Sequence, residues 1–342
     1  MSASRIFVAR RIILSFTALL VAAVPAGFSQ SGTSSHADAI NSLADRLQAR
    51  YVYPDIGKKY AAMLRGNLAS GKYSGITEPE ALATQLTADL QSVAPDGHLK
   101  VQIEGKIPSS AMPRRGPPGQ VDVPSVAETK WIADGIAYIR FNQFAGEPES
   151  VAAVEQFMKD HLTARAIIID TRSLTRGGGL AEMNVIFPYL FDRETVLVDM
   201  EVPKAGLPRG EPPPDPDRVM RAVDAPPELN RLAHVAIPHP TEHGLAKAKV
   251  FYLTSPRTRS AAEHFALALQ RTHRGVIIGE RTAGANHFGG FEPIGEGLVV
   301  FVPLGRTFDP DTGKDWEGDG IKPDIEVPTD QALDKALELA RQ

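Results

Sequence analysis

The chain has 342 residues, and a composition of 43% hydrophobic and 23% charged residues is ordinary for a globular protein. Its net charge of −4 shows no excess of basic residues, so nucleic acid is not expected as a partner. The absence of cysteine excludes disulfides, thiolate metal sites, a cysteine nucleophile and a lipid-anchored N-terminal cysteine.

Residues 1–29 have the pattern of a signal peptide. A positively charged start is followed by an apolar run over 12–23 and then by small residues. That run is shorter than the ~20 residues that a bilayer span needs. We therefore expect a periplasmic or secreted protein, cleaved after Ala26 or Ser29 and without a stable membrane anchor.

Residues 37–97 are predicted to form a small helical lobe, because apolar residues recur there at helical spacing in three stretches. The segment 98–130, rich in proline and glycine, is predicted to be a connection. A terminal helix is expected over 331–342.

An α/β core is predicted over 131–330, because strand and helix patterns alternate there. Such alternation implies one mostly parallel sheet with crossover helices. A proline-rich insertion over 201–228 interrupts it and is interpreted as a lid, a binding loop or a surface excursion. The predicted strands lie at 135–141, 166–169, 195–198, 250–253, 275–278 and 298–302.

Ser260 stands where the strand at 250–253 passes into a helix. A hydroxyl at such a corner is displayed on a rigid turn beside unpaired N–H groups of the new helix, which suits a nucleophile. Serine is also a preferred N-cap residue, so simple helix capping is the alternative.

Glycines 177–179 follow the buried strand that ends at Asp170. Backbone N–H groups of such a loop can approach a ligand closely and hold an oxyanion or a phosphate, although a tight turn alone would also use glycine. Two further candidates are His98, between the helical lobe and the next strand, and Glu317, among glycines and an aromatic residue. A carboxylate close to a catalytic base would orient that base and stabilise its cation.

Taken together, these segments resemble the S41 serine peptidases, which include C-terminal processing proteases, the tricorn core and the modules of the interphotoreceptor retinoid-binding protein. The resemblance covers about residues 38–328. It rests on five segments: Asp-Gly-His at 96–98, Ile-Ile-Asp-Thr-Arg at 168–172 with the three glycines, Thr-Arg-Ser-Ala-Ala-Glu at 258–263, Gly-Glu-Arg-Thr-Ala-Gly at 279–284, and Trp316 to Asp324.

The resemblance implies a ClpP/crotonase-like ββα core and an acyl-enzyme mechanism. Ser260 would attack the scissile carbonyl, and the N–H groups of Gly178 and Ala261 would form the oxyanion hole. His98 would be the general base with Glu317 as its supporting acid. His287, about 30 residues after Ser260, is the alternative base.

Three features of the chain differ from patterns found in that family. Processing proteases carry a Gly-Lys-Gly after the Thr-x-Gly element, whereas residues 284–287 here read Gly-Ala-Asn-His without lysine. This favours the tricorn-like and retinoid-module branch with a histidine base. That branch has a serine before the histidine, where this chain has Gly97, so Asp96 is an alternative partner for the ring. The connection is also too short for a PDZ module.

We therefore expect an exported serine peptidase acting on peptides or proteins, with no metal or cofactor and with oligomerisation left open. The alternative is a non-catalytic binding module for an apolar ligand or a peptide. An acyl-CoA enzyme of the crotonase type is disfavoured, because exported compartments lack that substrate.

Overall fold

The computed structural model describes residues 36–106, 123–174, 176–206 and 218–342. The predicted signal peptide, the centre of the proline- and glycine-rich connection and the centre of the proline-rich insertion lie outside these ranges. None of the helices in the described ranges is long and apolar enough to cross a membrane.

Three of the helices begin with a proline, a residue that is favoured at the first helical position because its missing N–H has no intrahelical partner there. The described residues form the following helices: α1 (His36–Arg50), α2 (Pro54–Ala69), α3 (Pro79–Val93), α4 (Pro148–Asp160), α5 (Ala181–Leu190), α6 (Ala261–Arg271) and α7 (Ala332–Arg341).

The strands are arranged in two sheets. In chain order they are β1 (Val101–Ile103), β2 (Val126–Ala133), β3 (Ile136–Phe141), β4 (Ala166–Asp170), β5 (Thr195–Pro203), β6 (Met220–Ala222), β7 (Leu229–Ala236), β8 (Lys249–Thr254), β9 (Val276–Gly279), β10 (Phe288–Gly295), β11 (Leu298–Phe308) and β12 (Ile325–Glu326).

The first sheet has the order β12-β9-β8-β4-β3-β2 and is parallel except for β2 at its edge. Its central strand β4 is buried along its whole length, which explains the uninterrupted apolar run in the sequence. Residues of α4, α5 and α6 share a core with one face, and α7 packs on the other face.

The second sheet is antiparallel, with the order β1-β11-β5-β7-β6 and with β10 also paired to β11. The prediction of a single mostly parallel sheet is therefore wrong for the strands at 195–198 and 298–302. The pattern of a strand indicates which face is buried, but it does not reveal the partner or direction of pairing. The overall mixed α/β class with N-terminal helices is confirmed.

The three N-terminal helices pack on the antiparallel sheet. Leu43, Leu64 and Leu86 belong to the same core as Val300 and Val302 of β11. This packing brings the turn between α3 and β1, which carries His98, against the body that carries the other candidate site residues.

Candidate active site

Three loops meet at one edge of the parallel sheet. Asp170 at the end of β4 pairs with Leu253 near the end of β8, and β9 pairs in parallel with β8 on its other side. Because the carboxyl ends of neighbouring parallel strands lie at the same edge, the loops over 171–180, 255–260 and 280–287 are brought together. They carry the glycines, Ser260 and the segment that includes His287.

Ser260 is the N-cap residue of α6, and its backbone is strained, with φ 55° and ψ −122°. A positive φ is unusual for a residue other than glycine, and this ψ is far from the ~+47° of the ordinary left-handed region. Such conformations cost on the order of 1–3 kcal/mol and cluster at functional sites. Capping alone does not require this backbone, since N-cap residues usually have extended dihedral angles.

Gly177 provides the space that Ser260 occupies. A methyl group on Gly177 would lie 2.4 Å from Cβ and 2.8 Å from Oγ of Ser260. In proteins, a Cβ atom essentially never lies closer than about 3 Å to another non-bonded heavy atom. The glycine loop and the serine turn are therefore packed directly against each other.

Gly178 is held by a bridge to Phe144. The N–H of Phe144 donates to the carbonyl of Gly177 at 3.0 Å, and the N–H of Gly179 donates to the carbonyl of Phe144 at 2.7 Å. Gly178 itself has φ 146°, and a methyl group there would lie 1.7 Å from the Phe144 carbonyl oxygen. Only glycine fits this close approach.

Two backbone donors remain beside the serine. Within the described ranges, the N–H groups of Gly178 and Ala261 have no hydrogen-bond acceptor. Ala261 is the first residue of α6, so its N–H is one of those that a helix leaves unpaired. These are the two groups that the resemblance assigns to an oxyanion hole.

Glu263 is a fully buried carboxylate that joins the serine turn to the loop after β9. It accepts hydrogen bonds from the N–H of Ser260 at 2.8 Å, the hydroxyl of Thr282 at 2.5 Å and the N–H groups of Gly284 and Ala285 at 2.7 and 2.8 Å. Burial raises the pKa of Glu263, and these donors oppose that rise. The motif that contains Glu263 indicates no separate role for this residue.

Glu317 accepts hydrogen bonds from the same loop after β9. Its Oε2 accepts the N–H groups of Asn286 and His287, at 2.7 and 2.9 Å. Four consecutive N–H groups, those of residues 284–287, are thus divided between Glu263 and Glu317. Burial acts to raise the pKa of Glu317, but its contacts with His98 and His287 outweigh this effect and lower it.

His98 lies with its Nδ1 3.3 Å from Oε1 of Glu317, close enough for an ion pair although the angle is poor for a hydrogen bond. The ring packs against Phe301, with centroids 5.5 Å apart. Burial acts to lower the pKa of His98, but Glu317, with Asp96 and Glu263, raises it overall. His98 is linked to the serine turn through the loop over 284–287, which Glu317 and Glu263 hold by hydrogen bonds.

His287 has a different environment. Its ring is buried, and Nδ1 lies 2.9 Å from Oδ2 of Asp96, which also accepts the hydroxyl of Tyr51 at 2.8 Å. The other ring nitrogen lies 3.5 Å from the hydroxyl of Tyr53. Burial acts to raise the pKa of Asp96, but the hydrogen bond and charge of His287, together with the hydrogen bonds from Tyr51 and the backbone of His98, outweigh it and lower the pKa.

Asp96 therefore orients the ring of His287, not that of His98. Its Oδ1 accepts the backbone N–H groups of His98 and Leu99, at 2.8 and 3.1 Å, and so fixes the turn that carries His98. The carboxylate beside the His98 ring is Glu317. No hydrogen bond joins the side chain of Ser260 to either histidine in the described residues, and catalytic hydrogen bonds are often long before substrate binds.

Asp96, His287 and Glu317 have potential ligand atoms within 4.8 Å of one another. Asp96 already accepts hydrogen bonds from Tyr51 and His287, and Oε2 of Glu317 accepts two backbone N–H groups, whereas its Oε1 faces Nδ1 of His98 at 3.3 Å without a hydrogen bond. These hydrogen bonds account for the cluster without a cation.

Residues 135–327 match the sequence model of peptidase family S41, and residues 33–133 match that of the N-terminal domain of S41 peptidases in eukaryotic interphotoreceptor retinoid-binding protein. The first match covers more than half of the chain. The chain belongs to peptidase family S41. The resemblance inferred from the sequence motifs is confirmed, and with it the class of the protein, a serine peptidase.

Solved structures share the fold of this S41 peptidase. A protein from Parabacteroides merdae is 16% identical, with a TM-score of 0.58 over 90% of this chain and 98% of its own. A lipoprotein from Streptococcus agalactiae is 13% identical, with a TM-score of 0.54 over 89% and 95%.

The tricorn protease is also 13% identical, with a TM-score of 0.51 over 90% of this S41 peptidase but only 37% of its own chain. The photosystem II D1 C-terminal processing protease is 19% identical, with a TM-score of 0.42. The match covers 71% of this chain and 52% of the processing protease. At these identities, the likenesses with TM-scores above 0.5 describe the fold alone.

Proposed function

We propose that the chain is an exported serine peptidase that hydrolyses peptide bonds through an acyl-enzyme on Ser260. The observation that carries this proposal is the strained backbone of Ser260, packed against Gly177 at the edge where three strand-end loops meet. Strain of this kind persists only where the surrounding structure enforces it, and here it displays a hydroxyl beside two unpaired N–H groups.

In the proposed mechanism, His98 is the general base. Its Nδ1 faces Glu317, which leaves Nε2 for the serine hydroxyl. Nε2 takes the proton of Ser260 as Oγ attacks the scissile carbonyl, and Glu317 stabilises the imidazolium that forms. The same ring then gives the proton to the leaving amine, and the peptide bond breaks.

The tetrahedral intermediate places a negative charge on the former carbonyl oxygen. The N–H groups of Gly178 and Ala261 donate hydrogen bonds to this oxygen, as preorganised donors do in acyl transfer. Water, activated by His98, then attacks the acyl-enzyme, and Ser260 is regenerated as the acid product leaves.

His287 is assigned a supporting role in this proposal. Its Nδ1 is committed to Asp96, and its backbone N–H helps to hold Glu317. The ring is buried in contact with Tyr53, with centroids 5.5 Å apart. Because these contacts already engage the His287 ring, they favour His98 as the base. The side chain of His98 is 23% exposed, whereas that of His287 is 3% exposed.

Peptide hydrolysis tests the proposal. Wild-type protein and Ser260→Ala would be incubated with denatured casein and with a peptide library, and new termini would be identified by mass spectrometry. Cleavage by the wild type alone supports the proposal. Binding of peptides without cleavage by either protein would favour the alternative of a binding module.

Export is proposed from the charged start and apolar run of residues 1–29. Expression of the full chain in a bacterial host, followed by fractionation and intact-mass measurement, tests this part. A periplasmic protein shortened near Ala26 or Ser29 supports export. A full-length cytoplasmic protein would contradict it.

A further inference from the structure

Three arginines lie around the candidate nucleophile. Arg257 and Arg259 belong to the turn that ends at Ser260, and Arg176 directly precedes Gly177. A methyl group on Gly177 would lie 3.5 Å from the carbonyl oxygen of Arg259, so the two loops that carry these arginines are in contact. Arg257 and Arg259 are exposed, and Arg176 is partly buried.

None of these three arginines has a carboxylate within 4 Å among the described residues. Other arginines of the chain do, including Arg172 with Asp170 and Arg231 with Glu201. Carboxylates are not scarce, since Asp and Glu number 41 against 37 Lys and Arg. Three cations without an ion pair therefore lie on two contacting loops at this edge, in a protein whose net charge is negative.

The nearest carboxylate along the chain does not neutralise them. Glu263 is buried, and its two oxygens accept four hydrogen bonds from Ser260 and the loop over 282–285. Like charges that lie close together repel one another. An anion bound among them would relieve this repulsion, and a site lined by one sign of charge attracts ligands of the opposite sign.

The three arginines differ in what their side chains already do. Nε of Arg257 donates to the carbonyl of Leu174 at 3.2 Å and so ties the serine turn to the glycine loop. Nε of Arg259 makes only a long contact, 3.4 Å to the carbonyl of Arg257. Arg176 has no hydrogen bond from its side chain to a described residue. The side chain of Arg257 thus links the two loops, whereas the side chains of Arg176 and Arg259 are available to bind a ligand.

We propose that Arg176 and Arg259 form a subsite that binds a carboxylate of the substrate next to the scissile bond. The inference rests on the proposed peptidase function and adds a substrate class to it. Arginine suits this role because its planar guanidinium donates two parallel hydrogen bonds to a carboxylate. The carboxylate belongs either to an acidic side chain or to the C-terminus of the peptide.

Peptide binding to the Ser260→Ala variant tests the subsite without relying on turnover. Four versions of one fluorescein-labelled peptide would be compared by anisotropy: a central glutamate or glutamine, each with a free or an amidated C-terminus. Arg176→Gln, Arg259→Gln and the double variant would be made in the same background.

Arg341→Gln is the matched control. Arg341 is an exposed arginine at the end of α7, next to Ala340, whose carbonyl accepts a hydrogen bond from Arg165. Arg165 precedes the start of β4, so Arg341 lies at the opposite edge of the parallel sheet from Ser260. This substitution removes the same charge without touching the site.

We expect the anionic peptide to bind about ten-fold more tightly than its neutral counterpart, as a charge-assisted pair of hydrogen bonds allows. Each single substitution should reduce this preference, the double variant should abolish it, and Arg341→Gln should leave it unchanged. The preference should also weaken between about 0.05 and 0.5 M salt. A preference for glutamate identifies a side-chain carboxylate, and a preference for the free acid over the amide identifies the C-terminus.

Equal binding of all four peptides, or a preference that survives in the double variant, would overturn the subsite. That outcome is separate from failure of the proposed function, which would show as the absence of Ser260-dependent cleavage by the wild type. An enzyme that cleaves acidic and neutral peptides equally well would retain the function and lose the subsite.

Discussion

A methyl group on Gly177 would lie 2.4 Å from Cβ of Ser260, so the glycine loop and the serine turn interlock at this point. The contact joins the loop after β4 to the loop after β8, two adjacent parallel strands. The position of the hydroxyl therefore depends on the absence of a side chain in another loop.

Gly177→Ala should displace Ser260 and reduce kcat/KM by about 100-fold or more, the effect of misplacing a reacting group by about 1 Å. Gly179→Ala is the matched control, since a methyl group there meets nothing within 4 Å. It should retain activity and a free energy of unfolding within about 0.5 kcal/mol of the wild type. Steady-state kinetics and urea unfolding measure both. Equal activity of the two variants would mean that the contact does not position the serine.

The two histidines should respond to alanine substitution in opposite ways. His98→Ala should lower kcat on the order of 10⁴-fold, as loss of a triad member does, with little loss of stability because its side chain is partly exposed. His287→Ala should reduce the free energy of unfolding by about 2–3 kcal/mol, since it removes a hydrogen-bond partner from the buried Asp96. Activity should be compared at temperatures where both variants are folded. A larger loss of kcat in His287→Ala would transfer the role of base to His287.

The acid limb of the pH profile should depend on Glu317. A histidine base acts when neutral, and the raised pKa of His98 places the limb of kcat/KM above the ordinary histidine value of about 6.5. Glu317→Gln removes the charge that raises this pKa and leaves the effect of burial, which lowers it. The limb should therefore move to lower pH, with a lower plateau. A limb that stays at the same pH would mean that Glu317 does not raise the pKa of His98.

The same shift has a consequence for stability. Because the pKa of His98 is higher in the folded protein than in the unfolded chain, its contribution is fully present below about pH 6.5 and is lost as the pH rises through the folded pKa. Replacing His98 by glutamine should flatten the unfolding free energy over that interval. Urea titrations of both proteins at several pH values measure the difference, and identical pH dependences would argue against a raised pKa.

The strand-end position of Ser260 and the glycine loop could be predicted, because buried apolar runs followed by turns indicate parallel strands whose ends share an edge. Family motifs brought His98 and Glu317 into the same hypothesis, and the structure places the two side chains together, while their catalytic roles stay predictions. The pair of Asp96 and His287 could not be predicted, since 191 residues separate them and no local pattern indicates their contact. The antiparallel sheet was missed for a similar reason: β5 and β11 pair across about 100 residues.

Glu263 lies in the motif over 258–263, which does not predict its contacts, yet it accepts four hydrogen bonds in the interior. Glu263→Gln should destabilise the protein by about 3 kcal/mol, because an amide nitrogen would face N–H donors in a buried site. The exposed Glu338→Gln, which loses an ion pair with Lys335, should change stability by less than about 0.5 kcal/mol. Thermal and urea unfolding provide the comparison. Equal stability of both variants would contradict the role of Glu263 in joining the loops.

The most direct test of the account is the intact mass of the protein after incubation with a fluorophosphonate, which reacts with activated serines. We expect a single adduct on the wild type, mapped to Ser260 by peptide sequencing, no adduct on Ser260→Ala and much slower labelling of His98→Ala. An unlabelled wild type, or an adduct that persists in Ser260→Ala, would contradict the assignment of Ser260 as the nucleophile.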